Sequence, residues 1–333
     1  MSKDNFWTSY RNLSSLNYAA SGAQVGHNAE VHAVSALLTG IVGIGDYSGG
    51  MTNRTLVRRL ARTDGVLLKP DRPLAPMDLM LGAFTNASRA LPAGVQVGAR
   101  AWSTHVTCAP ESPDAPELTK VPTRRLNSHV GYDATLWQRA PDSLAMHRHA
   151  VQWLVVGINT TTAPFGIRRN DLYPLPAPSS HLAVRTFYRA TCPTGVDPFA
   201  AEHDGGCLEL KKTGEVDFED LFDIAASPAP CPGVDLCKHV LTYHTVFEIP
   251  AGGGTSAAAD PVLLGQLGAY ASLSGYRFRL VADDATQLIV VGEPGESVEV
   301  TYLLPSRTTK SGWVTKVRAV VVGSDGRKQI AMN

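Results

Sequence analysis

Three groups of residues in this sequence have types and spacings that can do chemistry. The first is Asp46, which follows the apolar run 41–45 and precedes Tyr47-Ser48-Gly49-Gly50. A carboxylate at the end of a short buried strand, ahead of a glycine loop, is placed to accept hydrogen bonds from a ligand. The same aspartate can equally cap the turn it opens. The second group pairs residues two apart on strands: Ser103 with His105, and His147 with His149. Such spacing puts both side chains on one face of a strand. A metal site needs a third ligand, which the neighbouring sequence does not offer. A hydrolase serine needs a Gly-x-Ser-x-Gly elbow, and the sequence has none. The third group is the cysteines. Cys192, Cys207, Cys231 and Cys237 lie in one loop-rich stretch, and Cys108 stands apart. Their irregular spacing, without a Cys-x-x-Cys pair, argues against zinc, whereas clustering fits disulfides formed in an oxidising compartment, with Cys108 left over.

Bulk properties narrow the partners. Thirty basic and thirty acidic side chains cancel over 333 residues, and no aromatic-basic interleaving suggests base stacking, so nucleic acid is not expected. The longest uncharged apolar stretch, 33–45, is shorter than the roughly 18 residues of a membrane span. Residues 1–10 carry no basic-then-apolar signal region. Asn-x-Ser/Thr sequons occur at Asn12, Asn53, Asn86 and Asn159, a small excess over chance. With the clustered cysteines they favour a secreted or endomembrane (including lysosomal) location for the full-length protein. No dinucleotide or phosphate-binding glycine loop is present, and no cofactor is expected.

The elements that must position these residues fall into two kinds. Residues 29–38 carry near-helical apolar spacing, and Gly40 stops that helix. The strand at 41–44 follows. Thr52 or Asn53 then caps a second helix whose apolar positions are Leu56, Val57 and Leu60, with Arg54, Arg58, Arg59 and Arg62 on its polar face. Asp64-Gly65 ends it. From residue 65 onward the pattern is strands. Runs at 66–68, 95–97, 101–106, 151–158, 182–188, 241–249, 262–267, 276–282, 286–291, 297–304 and 313–322 are short, many alternate apolar with polar residues, and Asp283-Asp284 and Pro294-Gly295 mark turns. The stretch 109–125 is proline-rich, 191–238 reads as a cysteine-containing insertion, and 251–260 is a Gly/Ala-rich loop. The expected fold is therefore mainly β. Residues 1–75 are expected to form βα units of a (β/α)8 barrel, and 76–333 an antiparallel β-sandwich region. Only two or three barrel strands can be drawn from the first 65 residues, and an open parallel edge exposes unpaired backbone. The expectation is that an N-terminal portion or a partner chain completes the barrel.

Residues 36–46 (ALLTGIVGIGD), the helix after them, Asp64-Gly65 and Arg72-Pro73 resemble the last βα unit of the barrel in raffinose synthases and related family 36 glycoside hydrolases. Lys3-Asp4-Asn5-Phe6-Trp7 resembles the Ser-Asp-Asp-Phe-Tyr segment of that family. Residues 263–267 (LLGQL) and 289–300 (IVVGEPGESVEV) resemble its closing β-sandwich. The resemblance implies a retaining mechanism on α-galactosidic bonds, with two carboxyl groups about 5–5.5 Å apart. It places Asp4 at the general acid/base position. Lys3 departs from the usual serine, and a lysine there lowers a carboxyl pKa, the wrong direction for an acid that starts protonated. It makes Asp46 a sugar-hydroxyl acceptor and Trp7 a stacking platform for a sugar ring. The residue matching the family's nucleophile is not found in this chain. The resemblance thus implies a carbohydrate partner and no turnover by this chain alone. The alternative is a non-catalytic β-sandwich protein that binds carbohydrate or serves an assembly.

Overall fold

The computed structural model describes residues 5–6, 43–44, 52–71, 74–77, 99–108, 151–159, 165–177, 180–187, 206–211, 220–224, 240–250, 260–281, 284–309 and 312–333. In chain order they form β1 (Asn5–Phe6), β2 (Gly43–Ile44), α1 (Arg54–Arg58), β3 (Ala75–Pro76), β4 (Ala99–Thr107), β5 (Val151–Asn159) and β6 (Phe165–Arg168). A 3-10 turn at Arg169–Asp171 leads to β7 (His181–Phe187), β8 (Gly206–Lys211), β9 (Asp220–Ile224) and β10 (Val240–Ile249). The last six are β11 (Val262–Gly265), β12 (Phe278–Val281), β13 (Asp284–Val291), β14 (Ser297–Pro305), β15 (Trp313–Val321) and β16 (Arg327–Ala331). The described chain is mainly β and its large sheets are antiparallel, as the alternating pattern leads one to expect.

The largest sheet has six strands in the order β3-β4-β5-β10-β7-β8. Alternation along its strands feeds two cores. Val151, Trp153 and Val155 of β5, Leu182 and Val184 of β7 and Val246 of β10 point to one face. Ile167, Leu221 and Phe222, from the antiparallel pair β6–β9, cover that face together with Leu172. Leu154, Val156, Ala183, Phe187, Tyr243 and Phe247 point to the other face and join a larger core. That core also takes in α1 and two three-stranded sheets, β11-β14-β15 and β12-β13-β16, in a sandwich-like arrangement. A sheet buried on both faces explains why β5 reads as a nearly continuous apolar run and why Thr242, His244, Thr245 and Glu248 of β10 are buried as well.

An irregular segment, 266–277, lies inside the larger core, where a loop's backbone groups would ordinarily go unsatisfied. Its own turns satisfy several: Ala269 N–H bonds to Gln266 O at 2.9 Å and Arg277 N–H to Ser274 O at 2.8 Å. Polar side chains of the main sheet supply others. Gln152 accepts from Leu273 N–H at 3.1 Å, Tyr243 donates its hydroxyl to Tyr270 O at 3.1 Å, and Arg185 donates to Leu267 O. Gly265 makes the entry possible. Its φ is +76°, and a Cβ there would lie 2.0 Å from Ser272 O. Ser272 instead bonds back, hydroxyl to Leu264 O at 2.7 Å.

Residues 52–71 form a short hairpin fastened to this segment. Asn53 caps α1, accepting the Leu56 N–H at 3.1 Å, so of the two expected caps Asn53 is the one used. Leu56, Leu60 and Leu68 are buried, each contributing roughly 1.5–3 kcal/mol. Arg54 and Arg58 are exposed, as a solvated face requires. Arg62 makes a local ion pair with Asp64, the other role open to these arginines, and its guanidinium also donates to Tyr276 O at 2.8 Å. Arg59 O accepts from Tyr270 N–H at 3.0 Å, and Ser274 donates its hydroxyl to Lys69 O at 2.9 Å. Gly65 turns the chain at φ +83°. Residues 66–68, expected as a strand, contribute one isolated bridge, Ala61 to Leu67. The segment's polar groups are spent on the hairpin, on 266–277 and, at Asp71, on β4, where its N–H bonds to His105 O at 3.2 Å and its carboxylate accepts the Thr107 N–H at 2.7 Å.

Six strands differ from the expected set. β1, β3, β6 and β16 have no counterpart among the expected runs, and β8 and β9 fall within the stretch 191–238 that the sequence marks as an insertion. β8 pairs with β7 over six residues as the outer strand of the main sheet. The expected elements at 29–38 and 95–97 lie outside the described residues.

Candidate functional site

The three site residues expected from the sequence, Asp4, Trp7 and Asp46, lie outside the described residues. The backbone beside them is described. β1 and β2 pair parallel, Asn5 opposite Gly43 and Phe6 opposite Ile44, the one parallel pairing among the described residues. Asp4 immediately precedes β1, and Asp46 stands two positions beyond β2 in the sequence.

Ser103 and His105 do share a face of β4, as their spacing predicts. His105 is opposite Trp153 and Ser103 opposite Val155, on the face covered by β6 and β9. His105 is buried among those apolar groups. His244 of β10, opposite Val155, stacks on Phe222 with ring centroids 4.0 Å apart and has its Nδ1 3.0 Å from the Thr186 hydroxyl. This is a packed layer of side chains in which Thr186 and His244 form a hydroxyl–imidazole pair beneath Phe222. His147 and His149 lie outside the described residues, and among the described residues no three His, Cys, Asp or Glu side chains gather as a metal site. Cys108 is a buried free thiol, its pKa pushed up to about 12 by burial and by the Asp71 charge. Cys207 lies on β8, and Cys192, Cys231 and Cys237 lie outside the described residues.

The described residues hold two buried charged clusters. In the first, Arg277 and Glu296 form a two-pronged pair, Nη1 to Oε2 and Nη2 to Oε1, both 2.8 Å. Their side chains are 1% and 7% exposed. Arg277 also donates to Val291 O at 3.0 Å, and Glu296 accepts from Glu293 N–H at 3.1 Å and, more weakly, from Thr63 N–H at 3.4 Å. Burial pushes the Glu296 carboxyl up, but the Arg277 hydrogen bonds and charge, with the two backbone donors, outweigh it and hold the group below its usual range. Its bonds reach Val291 O, the 293–296 turn and Thr63, so this cluster fastens the hairpin to the sandwich, with the Arg277 Nε left buried and unbonded.

The second cluster sits where β6 crosses to β7. Arg169, buried, donates to Ser180 O at 3.0 Å and to the Ser180 hydroxyl at 3.1 Å. Glu248, buried at the end of β10, accepts the Ala177 N–H at 2.6 Å. Ser180 closes the loop onto Ala177 O through its N–H at 2.9 Å and its hydroxyl at 2.8 Å. Trp153 donates its indole N–H to Pro174 O at 2.9 Å. Leu172 and Pro176 point inward and are buried, while Tyr173 and Leu175 between them are 69% and 63% exposed. No motif in the sequence singles out this loop. The available signal is Arg168-Arg169-Asn170-Asp171 running into the Pro-x-Pro of 174–176, together with a glutamate near the end of the apolar run 240–249. Comparison of the chain with family models and with curated proteins finds no match.

Proposed function

We propose that this chain corresponds to the C-terminal part of a glycoside hydrolase-like protein of the α-galactosidase/raffinose synthase type, acting on or binding carbohydrate and inactive as this chain alone. The observation that carries the reading is the parallel pair β1–β2. Parallel neighbours need a crossover of about a dozen residues or more. The connection from residue 7 to residue 42 exceeds that, and its 29–38 stretch has helical apolar spacing. A βαβ unit followed by antiparallel sheets is the order the family resemblance implies. In this reading Asp4 is the general acid/base, Asp46 binds sugar hydroxyls and Trp7 stacks on a ring. The residues before 76 close a (β/α)8 barrel with strands supplied from outside the chain.

Two measurements test it. The purified chain, assayed with p-nitrophenyl α-D-galactopyranoside, is expected to show no turnover. Clear activity abolished by neither Asp4→Asn nor Asp46→Asn would mean that the site is elsewhere. Paired spin labels at positions 4 and 46 are expected to report one short, narrow distance, as two groups on one site require. A long or broad distribution removes the catalytic assignment.

The second reading, a non-catalytic carbohydrate-binding or assembly protein, is favoured by one observation. The hairpin 52–71 shares one core with the sandwich-like sheets and is bonded to residues 266–277. Deleting residues 1–51 separates the two. A folded, monomeric product with undiminished carbohydrate binding favours the second reading, and lost binding favours the first.

A further inference from the structure

The loop after β6 is anchored with more polar bonding than a connection between strands requires. Arg169 and Glu248 are 6% exposed each, and both spend hydrogen bonds on its backbone. Burying ionised side chains is costly, and the cost is offset only when their bonds are made. Here those bonds, with the Trp153 indole at 2.9 Å from Pro174 O, fix the backbone on both sides of Tyr173 and Leu175. The two side chains then face solvent, and they are two of the four large apolar side chains exposed among the described residues. A rigid loop that holds an aromatic side chain in water lowers the ordering cost of binding something to it.

The size of the patch decides what fits. Tyr173 and Leu175 at these exposures offer roughly 250 Å² of apolar surface. A stable protein interface takes about 800 Å² from each partner. A single pyranose ring covers one aromatic face. The same turn carries two further exposed polar side chains, Asn170 and Arg168, of the kinds that hydrogen-bond sugar hydroxyls. We infer that the 168–177 loop is a saccharide-binding site, with Tyr173 as the stacking platform for a neutral pyranose ring and Asn170 and Arg168 as hydroxyl partners. The inference rests on the carbohydrate reading above but concerns a surface separate from Asp4, Trp7 and Asp46. It requires no catalysis.

Affinity electrophoresis of the intact chain tests it, in native gels containing galactomannan, soluble starch or mixed-linkage β-glucan. At least one gel is expected to retard the protein. In that gel Tyr173→Ala is expected to weaken the apparent affinity about tenfold, a change of about 1.4 kcal/mol, and Tyr173→Phe to retain most of it. Circular dichroism melts of the variants should match the parent, since the side chain is exposed. Retardation by no polysaccharide, or equal retardation of Tyr173→Ala, overturns the site. Retardation by starch or β-glucan without galactomannan keeps the site and removes the α-galactoside reading, so the two failures are distinguishable. Retardation of Asp46→Asn equal to the parent confirms that the loop acts independently of the barrel residues.

Discussion

Two irregular segments of this molecule are held by the same device and serve opposite ends. Segment 266–277 lies in the large core, its backbone satisfied by Gln152, Tyr243 and Arg185 from the main sheet and by Arg62 from the hairpin, with the Arg277–Glu296 pair closing its end. Segment 168–177 is satisfied by Arg169, Glu248 and Trp153. The first turns its apolar side chains, Leu267, Tyr270 and Leu273, inward and joins three layers. The second buries Leu172 and Pro176 but turns Tyr173 and Leu175 out. Buried charge is therefore no guide to function by itself. What distinguishes the two loops is where the rigid backbone aims its side chains.

The sharpest way to break this comparison is the ion pair. Glu296→Gln leaves the 1%-exposed Arg277 guanidinium without its counter-charge. Breaking a buried pair costs about 3–5 kcal/mol, whereas Arg277→Met combined with Glu296→Leu should recover most of that loss. Urea melts of the three proteins measure it. A Glu296→Gln chain as stable as the parent would show that the pair fastens nothing. Acid should act in the same direction. The folded carboxyl is held below the 4.5 of a free glutamate, so its contribution is complete above about pH 4.5 and is lost as pH falls through the lower folded value. In the Glu296→Leu/Arg277→Met double variant that part of the acid sensitivity should vanish.

Gly265→Ala tests the backbone half of the buried joint. The residue needs φ +76° and has Ser272 O where a Cβ would go, so a loss of about 3 kcal/mol or more is expected. A shift under about 1 kcal/mol in the same melts would mean that the 265–272 approach relaxes readily and that the joint is softer than its hydrogen bonds imply.

Arg169→Met should cost less, about 2 kcal/mol, because it removes the bonds to Ser180 while keeping the stem's packing. Its diagnostic is local. Saccharide retardation should fall with it even though Arg169 is too buried to touch a ligand, since Tyr173 would no longer be held in place. Unchanged retardation would separate the loop's rigidity from its binding.

The two loops are unequally legible in the sequence. Residues 263–267 stand out because a glycine sits among apolar residues with a strand's composition, and Gly265 has a physical reason to be there: a positive φ and a carbonyl contact. Most strands of the main sheet are legible for a related reason, being apolar enough for burial on both faces. The strands β8 and β9 are not. They carry Glu209, Lys211, Asp220 and Asp223 among their apolar residues and are flanked by prolines and cysteines, so their composition resembles a loop. Only pairing with β7 and β6 makes them strands, and periodicity does not report pairing. The 168–177 loop is illegible because its meaning depends on Glu248, seventy-one positions downstream of the amide it holds. Asp4, Trp7 and Asp46 rest on a family resemblance, and the parallel β1–β2 pair bears on their neighbours alone.

The smallest expected effect is also the most specific. Glu248→Gln keeps an oxygen where Oε1 accepts the Ala177 N–H at 2.6 Å, but removes the charge that strengthens the bond. A neutral acceptor is worth about 1 kcal/mol less than a charged one. Global stability should therefore barely move, while hydrogen exchange at the Ala177 amide quickens about fivefold. Amides of 266–277, such as Leu273 bonded to Gln152, should keep their protection. If the Glu248→Gln variant instead loosens both segments together, the loops belong to one cooperative unit and the contrast between a buried joint and an independently mounted binding loop fails. If Ala177 alone responds, the second loop is a mounting whose stiffness can be tuned without disturbing the core, as a separate binding surface requires.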